Sequence, residues 1–341
     1  MEWLEGNRIR VEPPKHPKKI TATRYGAVLG KNPWKTPFAA WCEITRTYKK
    51  PFETSPEMEV GKIIEPKQAE YLRKAYAMTD LKTPTDLYGA DYFKRMRGDF
   101  FHNYEVFGGM WDYLVTDKHS NPTLVVECKT TKRAEDWRGT VPLYYRMQLE
   151  LYAYLLDVQE AVMVATFLDE GDYAHPEDFV VSASNTDVRD IDLDYRHIEQ
   201  EIGSAMTWWR EHVETGISPP YDEEKDAAIL KALRTKDAPT TEELAEILSE
   251  AETIKATIDE TNSGLRDLSK RYDELQGRIK TYLQAQFGEN DQRVIIPGAN
   301  WNWVLSRSTR TDVDKALMQK NGIWDAYAIT KPQYRLTTEK R

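Results

Sequence analysis

The sequence predicts a mixed α/β fold, a central β-sheet flanked by helices, with a C-terminal coiled-coil helical segment. Three observations lead there. Strand-like and helical stretches occur in the order strand, strand, helix, strand between Glu105 and Phe167, the kind of mixture that folds into helices packed on a sheet. Amphipathic helical patterns precede and follow this block. From Leu244 through Ile247, Ala251, Ile254 and Ile258 to Leu275, Ile279 and Tyr282, apolar residues recur in alternating three- and four-residue steps, the spacing of a helical seam.

Arg10 to Lys19 is rich in proline and lysine and reads as an extended entry, after which Thr21-Ala22-Thr23 can cap a helix beginning near Arg24. Helical patterns follow over Thr36 to Tyr48 and Pro56 to Ala77, then strands over Glu105 to Val115 and Thr123 to Cys128 with a turn at Asp117 to Pro122. Val141-Pro142-Leu143 opens a helix that runs through Leu155, because proline is tolerated in a first turn. A strand at Ala161 to Phe167 comes next, then a long helix from Asp190 to Glu214 that stops at Gly216, before Pro219-Pro220. Thr240 and Glu243 make a capping box ahead of the seam, and Gly264 interrupts it as a hairpin tip or a weak point. A long amphipathic helix packed on its own domain has the same pattern as a coiled coil. The expected division is therefore residues 1–220 as the α/β domain, 221–290 as an acidic linker with coiled-coil helices, and 291–341 as a small β-rich tail packing on the core.

A chain of 341 residues with 40% apolar composition can bury a large core. The longest apolar run, Ala161 to Leu168, is too short to span a bilayer, and the first twenty residues lack a signal-peptide apolar region. Two cysteines, Cys42 and Cys128, supply neither a disulfide framework nor the four thiolates of an iron–sulfur cluster. A cytoplasmic setting without membrane partners follows. The net charge of −9 argues against a nucleic-acid surface over the whole molecule, yet residues 1–50 hold eleven Lys or Arg against four acids. That excess is either a local basic footprint or a solvated face.

Metal-dependent phosphodiester hydrolysis needs hard oxygen ligands converging on one point and a group to position water. Phe107-Gly108-Gly109-Met110-Trp111-Asp112 carries one acid to the start of a strand, and Val125-Val126-Glu127-Cys128-Lys129 places Glu127 and Lys129 on one face of the next. The Cys128 carbonyl between them is a further candidate ligand. A Glu-x-Lys pair alone reads more readily as a cross-face salt bridge. Three other positions point to the same chemistry: Glu65 follows Gly61 on a helix, and Gln148 and Tyr152 share a helix face at i,i+4.

Glu65, Asp112, Glu127-Cys128-Lys129 and the Gln148-x-x-x-Tyr152 helix resemble, in order, the motifs of RecB-like nucleases of the PD-(D/E)xK superfamily, which implies a restriction-endonuclease-like core. Ile20-Thr21-Ala22-Thr23, the stretch from Gly30 to Trp41, and Trp208-Trp209 through Gly216 to Pro219-Pro220 are similar to the phage-lambda-type exonucleases of the YqaJ viral recombinase family. The likeness covers about Ile20 to Pro220. Trp111 stands where the superfamily has proline, and Lys15, Lys18 and Lys19 stand where some relatives have an arginine for the DNA 5′ phosphate.

The resemblance implies a Mg²⁺-dependent enzyme, Mn²⁺ being an alternative, that binds about two ions through Asp112, Glu127, the Cys128 carbonyl and Glu65. Lys129 would activate water, and Gln148 and Tyr152 would position the site. Thr21, Thr23 and Arg24 would receive a DNA phosphate, although Thr23 also reads as a simple helix cap, and Lys132, Arg133 and Arg146 would line the DNA path. The implied activity is 5′-to-3′ digestion of linear double-stranded DNA to leave 3′ overhangs for a phage single-strand annealing protein. A homo-oligomer, a trimer by resemblance, in a bacterial host is implied too. The competing readings are a PD-(D/E)xK endonuclease and a non-catalytic DNA-end-binding recombination scaffold. Trp34, Trp41 and Trp137 read as core residues.

Overall fold

Leu124, Val125 and Val126 lead the longest strand of the central sheet, Pro122–Thr131, whose neighbours on both sides bury its middle. The computed structural model describes residues 1–49, 54–260, 266–313 and 328–340, which divide into a first unit, 1–226, and a second, 227–341. In the first unit the strand order is Leu81–Lys82, Tyr113–Thr116, Pro122–Thr131, Glu160–Phe167, Thr186–Asp190. Within this five-stranded sheet only the Pro122–Thr131 and Glu160–Phe167 pair is parallel. Parallel neighbours need a crossover, and the helix Leu143–Leu156 supplies it. The mixed sheet flanked by helices is the expected fold class.

Two helices cover the sheet. Ala69 and Leu72 of the helix Pro56–Ala75 pack on Leu81, Tyr113, Val126, Val162 and Val164. Side chains alternate along a strand, so Val126 and Cys128 share this face, while Glu127 and Lys129 point to the face covered by Leu143–Leu156. The helix Ala22–Val28 lies against that second helix at Gly26, where an added Cβ would come within 3.4 Å of the Tyr144 Cβ.

Several boundaries differ from the sequence expectation. The strand expected over Glu105 to Val115 is two pieces: Phe107–Gly108 pairs in parallel with Ile20–Thr21, and Tyr113–Thr116 joins the central sheet. Gly109, at φ +148°, breaks the run between them, a conformation apolar periodicity cannot report. The first helix begins at Ala22, so Thr21 is its N-cap. Asp190 ends an edge strand, and the helix expected from there starts at Tyr195, capped by the Asp194 carboxylate accepting the His197 N–H. Among the described residues no helix is long and apolar enough to cross a membrane.

The coiled coil expected after Thr240 takes another form. Helices Glu242–Glu260 and Arg266–Gln284 put Leu244, Ile247, Ala251, Leu275, Ile279 and Leu283 into one cluster with Val294, Ile296, Trp303 and Leu305 of a sheet. That sheet runs Thr235–Asp237, Arg293–Pro297, Trp301–Val313, Ala328–Lys340. A seam of apolar residues shows that one helix face is buried, not what buries it. Gly264, read as a possible tip, lies outside the described residues. The first unit ends at Asp226 rather than at residue 220, and residues 221–290 and 291–341 are not separate parts: the late strands and the two helices share one core.

Candidate active site

The ladder between Tyr113–Thr116 and Pro122–Thr131 ends at the Tyr113 and Val126 pair, so the strand carrying Glu127 runs on without that neighbour. Asp112, one residue before the shorter strand, fills the gap: its Oδ2 accepts the Cys128 backbone N–H at 2.8 Å. The N–H and C=O of one residue leave an extended strand on the same edge. The Cys128 carbonyl therefore faces the side where the ladder has stopped, beside the Asp112 carboxylate. This local end of pairing is what frees a backbone oxygen for a ligand.

Glu127 is 2% exposed. Its Oε1 accepts from Lys129 Nζ at 2.7 Å and from Gln148 Nε2 at 2.5 Å. Its Oε2 is buried and no donor among the described residues reaches it. Burial pushes the Glu127 carboxyl up to about 8, helped by Asp112 and resisted by Lys129. Asp112 is also raised, by burial, against the pull of Lys129, the Cys128 N–H and a hydrogen bond with the Glu127 carboxyl. Glu65, on the other covering helix, is raised to about 7 by burial and by Asp112, while the Tyr113 hydroxyl and Lys129 act against the rise. Burial would lower the Lys129 ammonium, but Glu127 and Asp112 outweigh it and hold the group above its usual range.

Three carboxyl groups thus crowd around one ammonium, each short of compensating charge. An unpartnered, buried carboxylate oxygen costs free energy in proportion to its lost hydration. A divalent cation would relieve the crowding, and the donors present, carboxylate and carbonyl oxygens, suit a hard ion. Among the described residues no group of three or more His, Cys, Asp or Glu side chains is already drawn together as a closed ligand set. The fit rests on Asp112, Glu127 and the Cys128 carbonyl, with Glu65 facing them.

Gln148 and Tyr152 project from one helix face, as their spacing requires, and Tyr152 donates to the Met110 carbonyl at 2.6 Å. This bond holds the segment that delivers Asp112. An added Cβ at Gly109 would sit 2.7 Å from the Tyr152 Cε1, and the Tyr152 ring is 1% exposed, with no room to retreat. Gly109→Ala is expected to lower stability by ~3 kcal/mol through overpacking and an unfavourable φ, read as a shift of the urea midpoint with unchanged slope. A loss under ~0.5 kcal/mol would show that this segment yields easily.

Gln68 was not singled out in the sequence. It is buried, and its Nε2 donates to the Lys129 carbonyl at 3.0 Å and the Thr166 Oγ1 at 2.8 Å, pinning the backbone of the lysine. Its position three residues after Glu65, on the same helix face, was the available signal. Asp99 was also missed: its Oδ1 takes the N–H groups of Phe101 and Gly109, and its Oδ2 the Lys19 ammonium.

The expected DNA contacts are each engaged by partners within the fold. Thr21 Oγ1 lies 3.0 Å from Thr23 Oγ1 and accepts from Arg24, so neither hydroxyl caps the helix. Arg24 also pairs with Glu43, which Lys35 shares. Burial and the nearby Arg24, Arg46 and Lys49 charges lower Lys18, so this corner is rich in cations. Lys19 is committed to Asp99 and the Phe101 carbonyl. Lys132 pairs with Glu170 and lies over Tyr173, Arg133 lies over Trp34, and Arg146 is held by the buried Glu150.

Residues 13–159 match the YqaJ-like viral recombinase domain. An uncharacterized protein of Mycoplasma genitalium, MG373, is 27% identical over 248 residues, which cover 60% of this chain and 84% of that protein. Its Mycoplasma pneumoniae homologue is 25% identical over 243 residues, 59% of this chain and 83% of the relative. Among solved structures, an alkaline exonuclease of Laribacter hongkongensis aligns at 18% identity and TM-score 0.40, over 58% of this chain and 91% of its own. A phage related exonuclease of Haemophilus somnus aligns at 14% identity and TM-score 0.36, over 57% and 95% respectively.

Proposed function

We propose, for a chain whose residues 13–159 match the YqaJ-like viral recombinase domain, a metal-dependent deoxyribonuclease that digests linear double-stranded DNA from its 5′ ends. The observation that carries the reading is the cluster of Asp112, Glu127, Lys129 and the Cys128 carbonyl at the end of the strand ladder, with a buried Glu127 oxygen left without a donor.

Asp112, Glu127 and the Cys128 carbonyl would hold the cation, with Glu65 on a second ion or an outer water. Bound there, the cation supplies charge stabilisation at the scissile phosphate and makes water more acidic. Lys129, kept as an ammonium by its two carboxylate neighbours, donates hydrogen bonds that orient water and the phosphate. Gln148 holds Glu127 and Tyr152 holds the Asp112 segment. The cation-rich corner of Lys18, Arg24 and Arg46 suits a terminal phosphate, which bidentate guanidinium contacts favour.

The test is digestion of 5′-phosphorylated linear duplex and of covalently closed circular DNA, with Mg²⁺, Mn²⁺ or EDTA. Metal-dependent loss of the linear form alone is the expected result. Cutting of the circle would replace the exonuclease reading by an endonuclease one, and binding without cleavage under either metal would favour a scaffold. We also propose a homo-oligomer that passes its product to a single-strand annealing protein, as the family resemblance implies.

A further inference from the structure

Trp34 is 64% exposed, although an indole exposed to this degree forgoes much of the burial that stabilises aromatic residues. It is not loosely placed. The Asn32 carboxamide oxygen accepts the N–H groups of Trp34 at 2.8 Å and Lys35 at 3.1 Å, fixing the loop. The Trp34 indole meets the Tyr144 hydroxyl, and the Arg133 guanidinium lies over its ring, 4.4 Å from the centroid.

From Trp34 the aromatic surface is continuous into the candidate active site. The Tyr144 and Tyr145 rings are 4.2 Å apart, and Tyr145 stacks on the buried Trp137 at 5.6 Å and 25°. Lys129 Nζ lies over the Tyr145 ring at 5.1 Å. A row of three accessible rings thus joins the active-site lysine to an exposed tryptophan, with a cation at each end. A purely electrostatic path for a duplex backbone needs the cations but not the rings. An apolar protein partner would have to desolvate two ion pairs, Lys129 with Glu127 at 2.7 Å and Arg133 with Asp136 at 3.6 Å. Rings alternating with cations suit unpaired nucleobases, whose faces stack on aromatics while phosphates meet arginine and lysine.

We propose that Trp34, Tyr144 and Tyr145 form a stacking platform for unpaired bases of a single-stranded segment entering the active site, with Arg133 on its phosphates. The inference rests on the nuclease reading for where the strand is delivered, but base-dependent binding can be measured without cleavage. The experiment compares, by fluorescence anisotropy in EDTA, the affinity of the full chain for labelled oligothymidylate of about 12 nucleotides and for an abasic oligonucleotide of equal length.

The wild type is expected to prefer the base-bearing strand, and Trp34→Ala to weaken that binding roughly 5- to 100-fold while leaving the abasic affinity unchanged. Trp34→Phe should restore most of the loss, since it keeps a π-face. Equal affinity of the wild type for both strands, or an equal loss for both in Trp34→Ala, overturns the platform. Base-dependent binding by a wild type that cuts no DNA with Mg²⁺ upholds the platform and removes the nuclease reading.

Discussion

Asp112→Asn is expected to abolish metal-dependent cleavage while leaving the metal-free protein at least as stable as the wild type. The two effects have opposite signs for one reason. Asp112 is a half-buried carboxylate that raises both Glu127 and Glu65, so without a cation it adds repulsion to an already desolvated cluster. Asparagine keeps the shape and an oxygen for the Cys128 N–H, now 2.8 Å away, but removes the charge. Cleavage should fall at least roughly 100-fold, the scale of losing one preorganised electrostatic contact to the reacting group. Unfolding in EDTA at pH 8 should be harder by ~1 kcal/mol, about the worth of one pKa unit. Urea melts in EDTA beside turnover of linear duplex check both. A variant that loses activity and stability together would mean that Asp112 is a structural ion-pair member. Unchanged turnover would remove it from the site.

The metal-free protein should lose stability as pH rises through the neutral range, and a divalent cation should cancel the loss. Burial is the main cause that pushes Glu127 in the folded chain up to about 8 and Glu65 up to about 7, both well above the ordinary glutamate range. A carboxyl whose folded pKa is raised binds its proton more tightly in the native state. Its contribution is therefore fully present below about pH 4 and is lost as pH climbs through 7 to 8. Metal binding needs the ionised groups, so it expels these protons and strengthens with pH over the same window. At about 100 times its dissociation constant the ion adds ~2.7 kcal/mol. Thermal melts from pH 5 to 9 with EDTA or Mg²⁺ test this. An alkaline decline seen in EDTA and absent with Mg²⁺ is expected. A flat profile in EDTA would mean the carboxylates are already compensated.

The alternation of Val126, Glu127, Cys128 and Lys129 was legible because a two-residue repeat fixes which side chains share a face. The i,i+4 relation of Gln148 and Tyr152 was legible for the same geometric reason on a helix. Gln68 escaped notice because a buried glutamine on an amphipathic helix looks like any polar position until its partners, the Lys129 carbonyl and Thr166, are brought to it. Trp34 was read as core, since composition favours burial of an indole, and only its neighbours show it exposed beside Arg133. The seam after Thr240 was legible as a periodic apolar face, but its covering, by the paired helix and the sheet strands together, was not, because a helix records that it has an apolar face without naming the surface that covers it.

By itself the sequence determined what depends on local repeat and on residue chemistry. These are the α/β class, the strand, strand, helix, strand order of its central block, the shared face of Glu127 and Lys129, and an oxygen-rich set with one lysine. Tertiary structure alone decided where the strand ladder stops, and with it the exposure of the Cys128 carbonyl beside Asp112. It also decided the raised carboxyl pKa values and the coverage of the late helices by strands of their own unit. Burial, register ends and contacts between distant segments arise from the packing of many elements at once, and no local pattern encodes them.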